Sequence, residues 1–160
     1  SRSTDGGLTA MQFGANGDLP VAGDFDGDGR TDFAVFRSAI GTWYIQQTTA
    51  GFTSMQFGSN GDMPAPGDFD GDNKTDIAVF RPSTGTWYLQ RSTLGFTGVN
   101  WGINGDQPSA GDYDGDNKTD VAVFRPSNGT FYILQSLNGA LRAEQFGSNG
   151  DISIPRSYAP

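Results

Sequence analysis

An acidic nine-residue loop occurs three times in this chain, at a spacing of 44 residues. The copies are Asp24-Phe-Asp-Gly-Asp-Gly-Arg-Thr-Asp32, Asp68-Phe-Asp-Gly-Asp-Asn-Lys-Thr-Asp76 and Asp112-Tyr-Asp-Gly-Asp-Asn-Lys-Thr-Asp120. Each places carboxylates at positions 1, 3, 5 and 9. Like charges this close disfavour ionisation unless a cation lies between them. Hard oxygen ligands at this density suit Ca²⁺, which takes about 6–8 oxygens in flexible geometry. A chain that reuses one unit must also stack it to bury an apolar face.

Of the 18 acidic residues, 17 are Asp, and the exception is Glu144. Twelve of those Asp occupy the loop positions, so the acidity is concentrated at sites and not spread over a solvated tail. Three Ca²⁺ ions would bring the formal net charge from −8 to −2. No basic patch is present, which argues against nucleic acid as a partner. Cys and His are absent, which removes disulfides, thiolate and imidazole metal sites, Cys nucleophiles and Ser-His dyads. No apolar run approaches the ~18 residues of a membrane-spanning helix. Weak calcium sites fill where Ca²⁺ is millimolar, outside cells. The expected localisation is therefore secreted or cell-surface, in a bacterium, with any export signal upstream in a longer precursor.

Gln12-Phe13-Gly14, Gln56-Phe57-Gly58, Asn100-Trp101-Gly102 and Gln145-Phe146-Gly147 mark the same point in successive units, with spacings of 44, 44 and 45. The extra residue is assigned to Phe131-Tyr-Ile-Leu-Gln135, as a bulge. Each unit reads as four short strands. The first, Pro20 to Asp24 and its copies, runs into the acidic loop. The second, Phe33 to Arg37, Ile77 to Arg81 and Val121 to Arg125, is apolar on both faces, as a central strand should be. A turn follows at Ser38 to Gly41, Pro82 to Gly85 and Pro126 to Gly129. The third strand is Thr42 to Gln46 and its copies, and the fourth is Gly51 to Phe57 and its copies. Asn-Gly-Asp then marks a turn in every unit. No helical periodicity is present. Four strands in 40–45 residues is the pattern of a β-propeller blade. The expected fold is all-β, a propeller of four-stranded antiparallel blades. It comprises three full blades (about 11–54, 55–98 and 99–143) with partial terminal strands over 1–10 and 144–160.

The Phe-Gly, the Gly-Asp-Phe-Asp-Gly-Asp loop and the Ala-Val-Phe-Arg-Pro strand resemble the FG-GAP/VCBS repeats. Those repeats occur in integrin alpha-chain propellers, fungal propeller lectins and many bacterial secreted proteins, and the resemblance covers nearly the whole chain. It implies that the loop joins the first and second strands of a blade and binds Ca²⁺. The implied ligands are Asp24, Asp26, Asp28 and Asp32 in the first site. They are Asp68, Asp70, Asp72 and Asp76 in the second, and Asp112, Asp114, Asp116 and Asp120 in the third. Backbone carbonyls of Arg30, Lys74 and Lys118 at position 7 complete each set. An EF-hand is rejected, because it needs a bidentate Glu at position 12 and flanking helices. Position 12 here is Val35, Val79 or Val123.

Leu8 to Phe13 looks like a fourth strand without its first three, and Ile152 to Pro160 like a first strand without its loop. Unpaired blade edges template association, so the expected partner is a second copy of the chain or the remainder of a larger propeller. Trp43, Tyr44, Trp87, Tyr88, Phe131 and Tyr132 lie in third strands, where packing between blades is favoured over sugar stacking. Trp101 is read as a packing variant of Phe13 and Phe57. Arg37, Arg81 and Arg125 are expected to pair with a loop Asp or to cover an aromatic ring. Asp18, Asp62, Asp106 and Asp151 of the Asn-Gly-Asp turns should make local hydrogen bonds. Once the loops and turns are assigned, Glu144 and Asp5 are the acids left over, and nothing pairs them as a glycosidase would require. The chain is therefore read as non-enzymatic. It is a calcium-stabilised extracellular binding or adhesion module for a carbohydrate or surface protein. The alternatives are a self-assembling structural unit and a non-catalytic part of a polysaccharide-degrading enzyme.

Overall fold

The computed structural model describes residues 10–153. Among these residues twelve strands form three four-stranded sheets, each made of consecutive strands. The first holds β1 (Leu19–Gly23), β2 (Asp32–Arg37), β3 (Thr42–Gln47) and β4 (Gly51–Gln56). The second holds β5 (Met63–Pro64), β6 (Ile77–Arg81), β7 (Thr86–Arg91) and β8 (Gly95–Asn100). The third holds β9 (Gln107–Pro108), β10 (Val121–Arg125), β11 (Thr130–Leu134) and β12 (Leu141–Gln145). Every pairing is antiparallel, and no helix occurs among the described residues. Of the expected terminal strands, Leu8, Thr9 and 154–160 lie outside the described residues. Ala10 to Phe13, Ile152 and Ser153 join no sheet.

The apolar second strands organise the core because they are covered on both faces. Ala34 and Phe36 of β2 face Trp43 and Ile45 of β3, and this group packs against Ile77 and Val79 of the next sheet. One unit further on, Phe80, Trp87 and Leu89 pack against Val121 and Val123. Alternate residues of β6 and β10 thus serve their own sheet and its predecessor. Trp43 and Trp87 are fully buried, as the packing reading of those aromatics requires. Truncating Trp87 to Ala would remove about 3–5 kcal/mol of stability.

The glycine that ends the turn between second and third strands has a steric reason. Gly41, Gly85 and Gly129 close the turn between second and third strands with φ near +62°. A Cβ on Gly85 would lie 2.2 Å from the Gly102 carbonyl oxygen, so neither contact nor conformation admits another residue. The same turn receives the chain leaving the fourth strand. Phe57, Trp101 and Phe146 donate their backbone N–H to the carbonyls of Gly41, Gly85 and Gly129 at 2.8, 2.9 and 3.0 Å.

The bulge expected in Phe131 to Gln135 is absent. β11 pairs in unbroken register with β10, Val121 opposite Leu134 and Arg125 opposite Thr130. The extra residue sits in the following turn, where Gln135 donates to Ala140 O (3.0 Å) and Gly139 to Gln135 O (2.9 Å). A turn absorbs one residue without inverting the faces of a strand, whereas a slip within β11 would invert them.

Candidate metal centre

Each acidic loop joins the first strand of a sheet to the second, and its own carboxylates fold it. Asp24 accepts the backbone N–H groups of Gly27, Asp28 and Gly29 at 2.6, 3.2 and 2.8 Å. Asp68 accepts those of Gly71, Asp72 and Asn73 at 2.6, 3.2 and 2.8 Å. Position 6 must be left-handed for this wrap, and Gly29, Asn73 and Asn117 supply it, the two Asn with φ of 65° and 67°. Asp32, Asp76 and Asp120 at position 9 are buried. Asp76 accepts Phe69 N–H at 2.9 Å and Ser92 N–H at 2.7 Å, which ties the loop to the turn between third and fourth strands.

In all three loops one oxygen from each of positions 1, 3 and 9 converges within 4.8 Å of the others. The groups are Asp24, Asp26 and Asp32, then Asp68, Asp70 and Asp76, then Asp112, Asp114 and Asp120. Three Asp-rich groups that could hold metal ions are therefore present. Oxygens about 2.3–2.6 Å from a shared Ca²⁺ span separations of this size. Asp70 Oδ1 is buried and has no hydrogen-bond partner among the described residues, which leaves it available to an ion or a water. Burial drives the Asp76 carboxyl up to about 6, against the hydrogen bonds from Ser92 and Phe69, and the charges of Asp70 and Asp68 push it further the same way. The group is harder to ionise than an ordinary carboxyl, and a nearby positive charge would relieve that.

Position 5 stands apart from these three. Asp28 Oδ2 accepts the hydroxyls of Thr48 and Thr49, both at 2.6 Å, and these bonds hold its carboxyl below the usual range. Burial opposes ionisation of Asp72, but the hydroxyls of Ser92 and Thr93 prevail and lower it too. Asp116 takes only Ser136, because Leu137 replaces the second hydroxyl. Arg30, Lys74 and Lys118 at position 7 donate their N–H to position 5 at 2.9, 2.9 and 2.8 Å. Sequence reasoning missed these turn hydroxyls. Their signal was present, since Thr48-Thr49, Ser92-Thr93 and Ser136 follow the third strands at one spacing.

A model of the FG-GAP-like repeat matches residues 24–79 and 68–123. The chain belongs to this family. Each FG-GAP-like match begins at the first Asp of one loop and ends in the strand beyond the next, so the acidic loops bound both. No curated protein and no solved structure shows a significant match. The second strands of these FG-GAP-like repeats each end on an arginine whose role the structure resolves. Arg37, Arg81 and Arg125 pair with Asp18, Asp62 and Asp106 of the Asn-Gly-Asp turns, each at 2.8 Å. They also lie over the rings of Tyr44, Tyr88 and Tyr132, 4.3–4.6 Å from the centroids. The aromatic ring is a partner the sequence reading expected, whereas the carboxylate comes from the Asn-Gly-Asp turn and not from an acidic loop. The same Asp residues, with Asp151, accept local turn N–H groups.

Proposed function

We propose that this chain is a calcium-stabilised β-propeller module with a binding or adhesion role outside the cell and no catalysis of its own. The observation that carries this reading is the convergence of three carboxylates in each loop, with Asp70 Oδ1 buried and unpartnered. Asp24, Asp26 and Asp32 and their counterparts would hold the ion. Asp28, Asp72 and Asp116, with the position-7 carbonyls of Arg30, Lys74 and Lys118, are the remaining ligands the family resemblance implies. Bound Ca²⁺ would neutralise the loop and join the first strand to the second, so metal binding and folding would be linked. The propeller reading is supported by antiparallel four-stranded sheets that pack in sequence order through their second strands. Extracellular Ca²⁺ suits weak sites of this kind. Repeated equivalent surfaces favour weak, multivalent recognition of glycan or protein. The test is thermal unfolding with millimolar Ca²⁺ and with chelator, followed by a glycan screen of the calcium-loaded form. Equal midpoints in the two conditions would remove the calcium reading.

A second reading, self-association, is favoured by the first sheet. Phe33 is 54 % exposed, whereas Ile77 and Val121 at the same position are 9 % and 7 % exposed against the preceding unit. Thr31 is exposed beside it. A second copy covering this face would give a defined multiple of 17.0 kDa by light scattering. A monomer at all concentrations would dismiss it.

A further inference from the structure

The acidic loops touch one another. Thr75, at position 8 of the second loop, donates its N–H to the Asp24 carbonyl at 2.6 Å. Its Oγ1 accepts the Asp24 N–H at 3.0 Å. Thr119 donates to the Asp68 carbonyl at 2.6 Å in the same way. The fit is close enough to require glycine before each Asp. A Cβ on Gly23 would lie 2.6 Å from Thr75 Cγ2, and one on Gly67 would lie 2.6 Å from Thr119 Cγ2. The stems of Lys74 and Lys118 also lie along Gly27 and Gly71.

The geometry points to Thr75 and Thr119 as positioning residues that clamp the metal loop of the preceding unit and couple neighbouring sites. This rests on the calcium reading above. Asp24 opens the first loop, and both its backbone polar groups are held by Thr75. Thr75 in turn precedes Asp76, the buried carboxylate of the second loop. Ordering Asp76 around an ion therefore fixes the partner of Asp24, and ordering Asp24 does the reverse, since coupling of this kind is reciprocal. The third loop lacks such a clamp among the described residues. The ring of its own Tyr113 lies beside Gly111 where the other units receive a threonine, with Cε2 3.4 Å from a Cβ placed there. Its wrap is correspondingly looser. Asp112 accepts two backbone N–H groups, from Gly115 and Asn117, where Asp24 and Asp68 accept three. The third site is thus the weakest of the three.

The test adds Ca²⁺ alone to the metal-stripped full chain and follows the amides of Gly27, Gly71 and Gly115 by heteronuclear NMR. Each amide donates to the first Asp of its own loop at 2.6 Å and so reports one site. In the wild type, Gly27 and Gly71 should titrate at lower Ca²⁺ than Gly115. Thr75→Val keeps the shape and removes the hydroxyl, and should raise the Gly27 midpoint about fivefold, the effect of one lost hydrogen bond. Thr75→Ser should restore it. Thr31→Val makes the same change at position 8 of the first loop, where no described loop docks. An unmoved Gly27 midpoint in Thr75→Val, with all three amides still responding to Ca²⁺, would overturn the clamp and leave the calcium reading intact. An equal shift of Gly27 in Thr31→Val would overturn it too, by assigning the effect to position 8 within its own loop. No response of any amide up to about 10 mM Ca²⁺, beyond the weakest extracellular calcium modules, would overturn both.

Discussion

Arg81 grips Asp62 through two parallel hydrogen bonds, Nε to Oδ1 at 2.8 Å and Nη2 to Oδ2 at 2.9 Å. The carboxylate is almost wholly enclosed. It ties the turn that enters the second sheet to the end of that sheet's central strand. Removing one member leaves the other charged and largely desolvated. Asp62→Ala should therefore cost about 2–4 kcal/mol in urea unfolding. The solvent-exposed pair Arg142–Glu144 is the matched comparison, and Glu144→Ala should cost under about 0.5 kcal/mol.

The metal loops give a conditional prediction. Asp70→Ala should lower the thermal midpoint in millimolar Ca²⁺ and leave it nearly unchanged, or raise it, in chelator. With no ion present, the charge Asp70 adds beside Asp76 and its unsatisfied Oδ1 offset the two hydrogen bonds its Oδ2 accepts from the Thr93 and Leu94 N–H groups at 2.9 and 3.0 Å. Differential scanning fluorimetry in the two buffers reads this directly, and an equal loss in both would argue against a metal at that loop.

Asp76 sets a pH dependence for the metal-free protein. Its folded pKa of about 6 exceeds the ordinary 3.8, so between those values the folded chain holds a proton the unfolded chain has released. Stability must then fall as pH rises through this window. Asp18, Asp28 and Asp72 are shifted down, so their contribution is present above the ordinary range and lost as pH falls through their lower folded values. The metal-stripped protein should be most stable near roughly pH 4–5 and lose about 3 °C or more in thermal midpoint by pH 7. Saturating Ca²⁺ should abolish that loss by favouring the ionised carboxylate.

Two glycines separate strain from collision. Gly95 has φ of 70° with open space where a Cβ would go, so Gly95→Ala should cost about 1–2 kcal/mol, from the left-handed backbone alone. Gly85 has φ of 62° and the Gly102 carbonyl in the way, so Gly85→Ala should cost at least about 3 kcal/mol. Chemical denaturation of the two variants measures both.

Much of this molecule is written locally. The strands are bounded by turn glycines and the second strands by their own apolarity. The loops announce themselves through Asp at alternate positions. What the sequence hid depends on which turns the sheet brings together. Asp62 and Arg81 are 19 residues apart, and only the pairing of β5 with β6 places them in contact. Asp28 looked equivalent to Asp24 and Asp26 in the loop, yet the turn after β3 supplies hydroxyls that draw it aside. The extra residue of the third unit was misplaced because Phe131-Tyr-Ile-Leu can be aligned in either of two ways until the partner strand fixes its register.

Tyr113 gives the array a direction of growth. A tandem duplication of the stretch from Asp68 to Gly111 would carry an open glycine notch at one side and a docking threonine at the other. Each new copy would find a seat ready for it. A copy inserted after Tyr113 would meet an aromatic ring where its threonine belongs. Lengthening by whole periods upstream of that residue thus reuses an existing seat, whereas a unit added after it must first move one side chain.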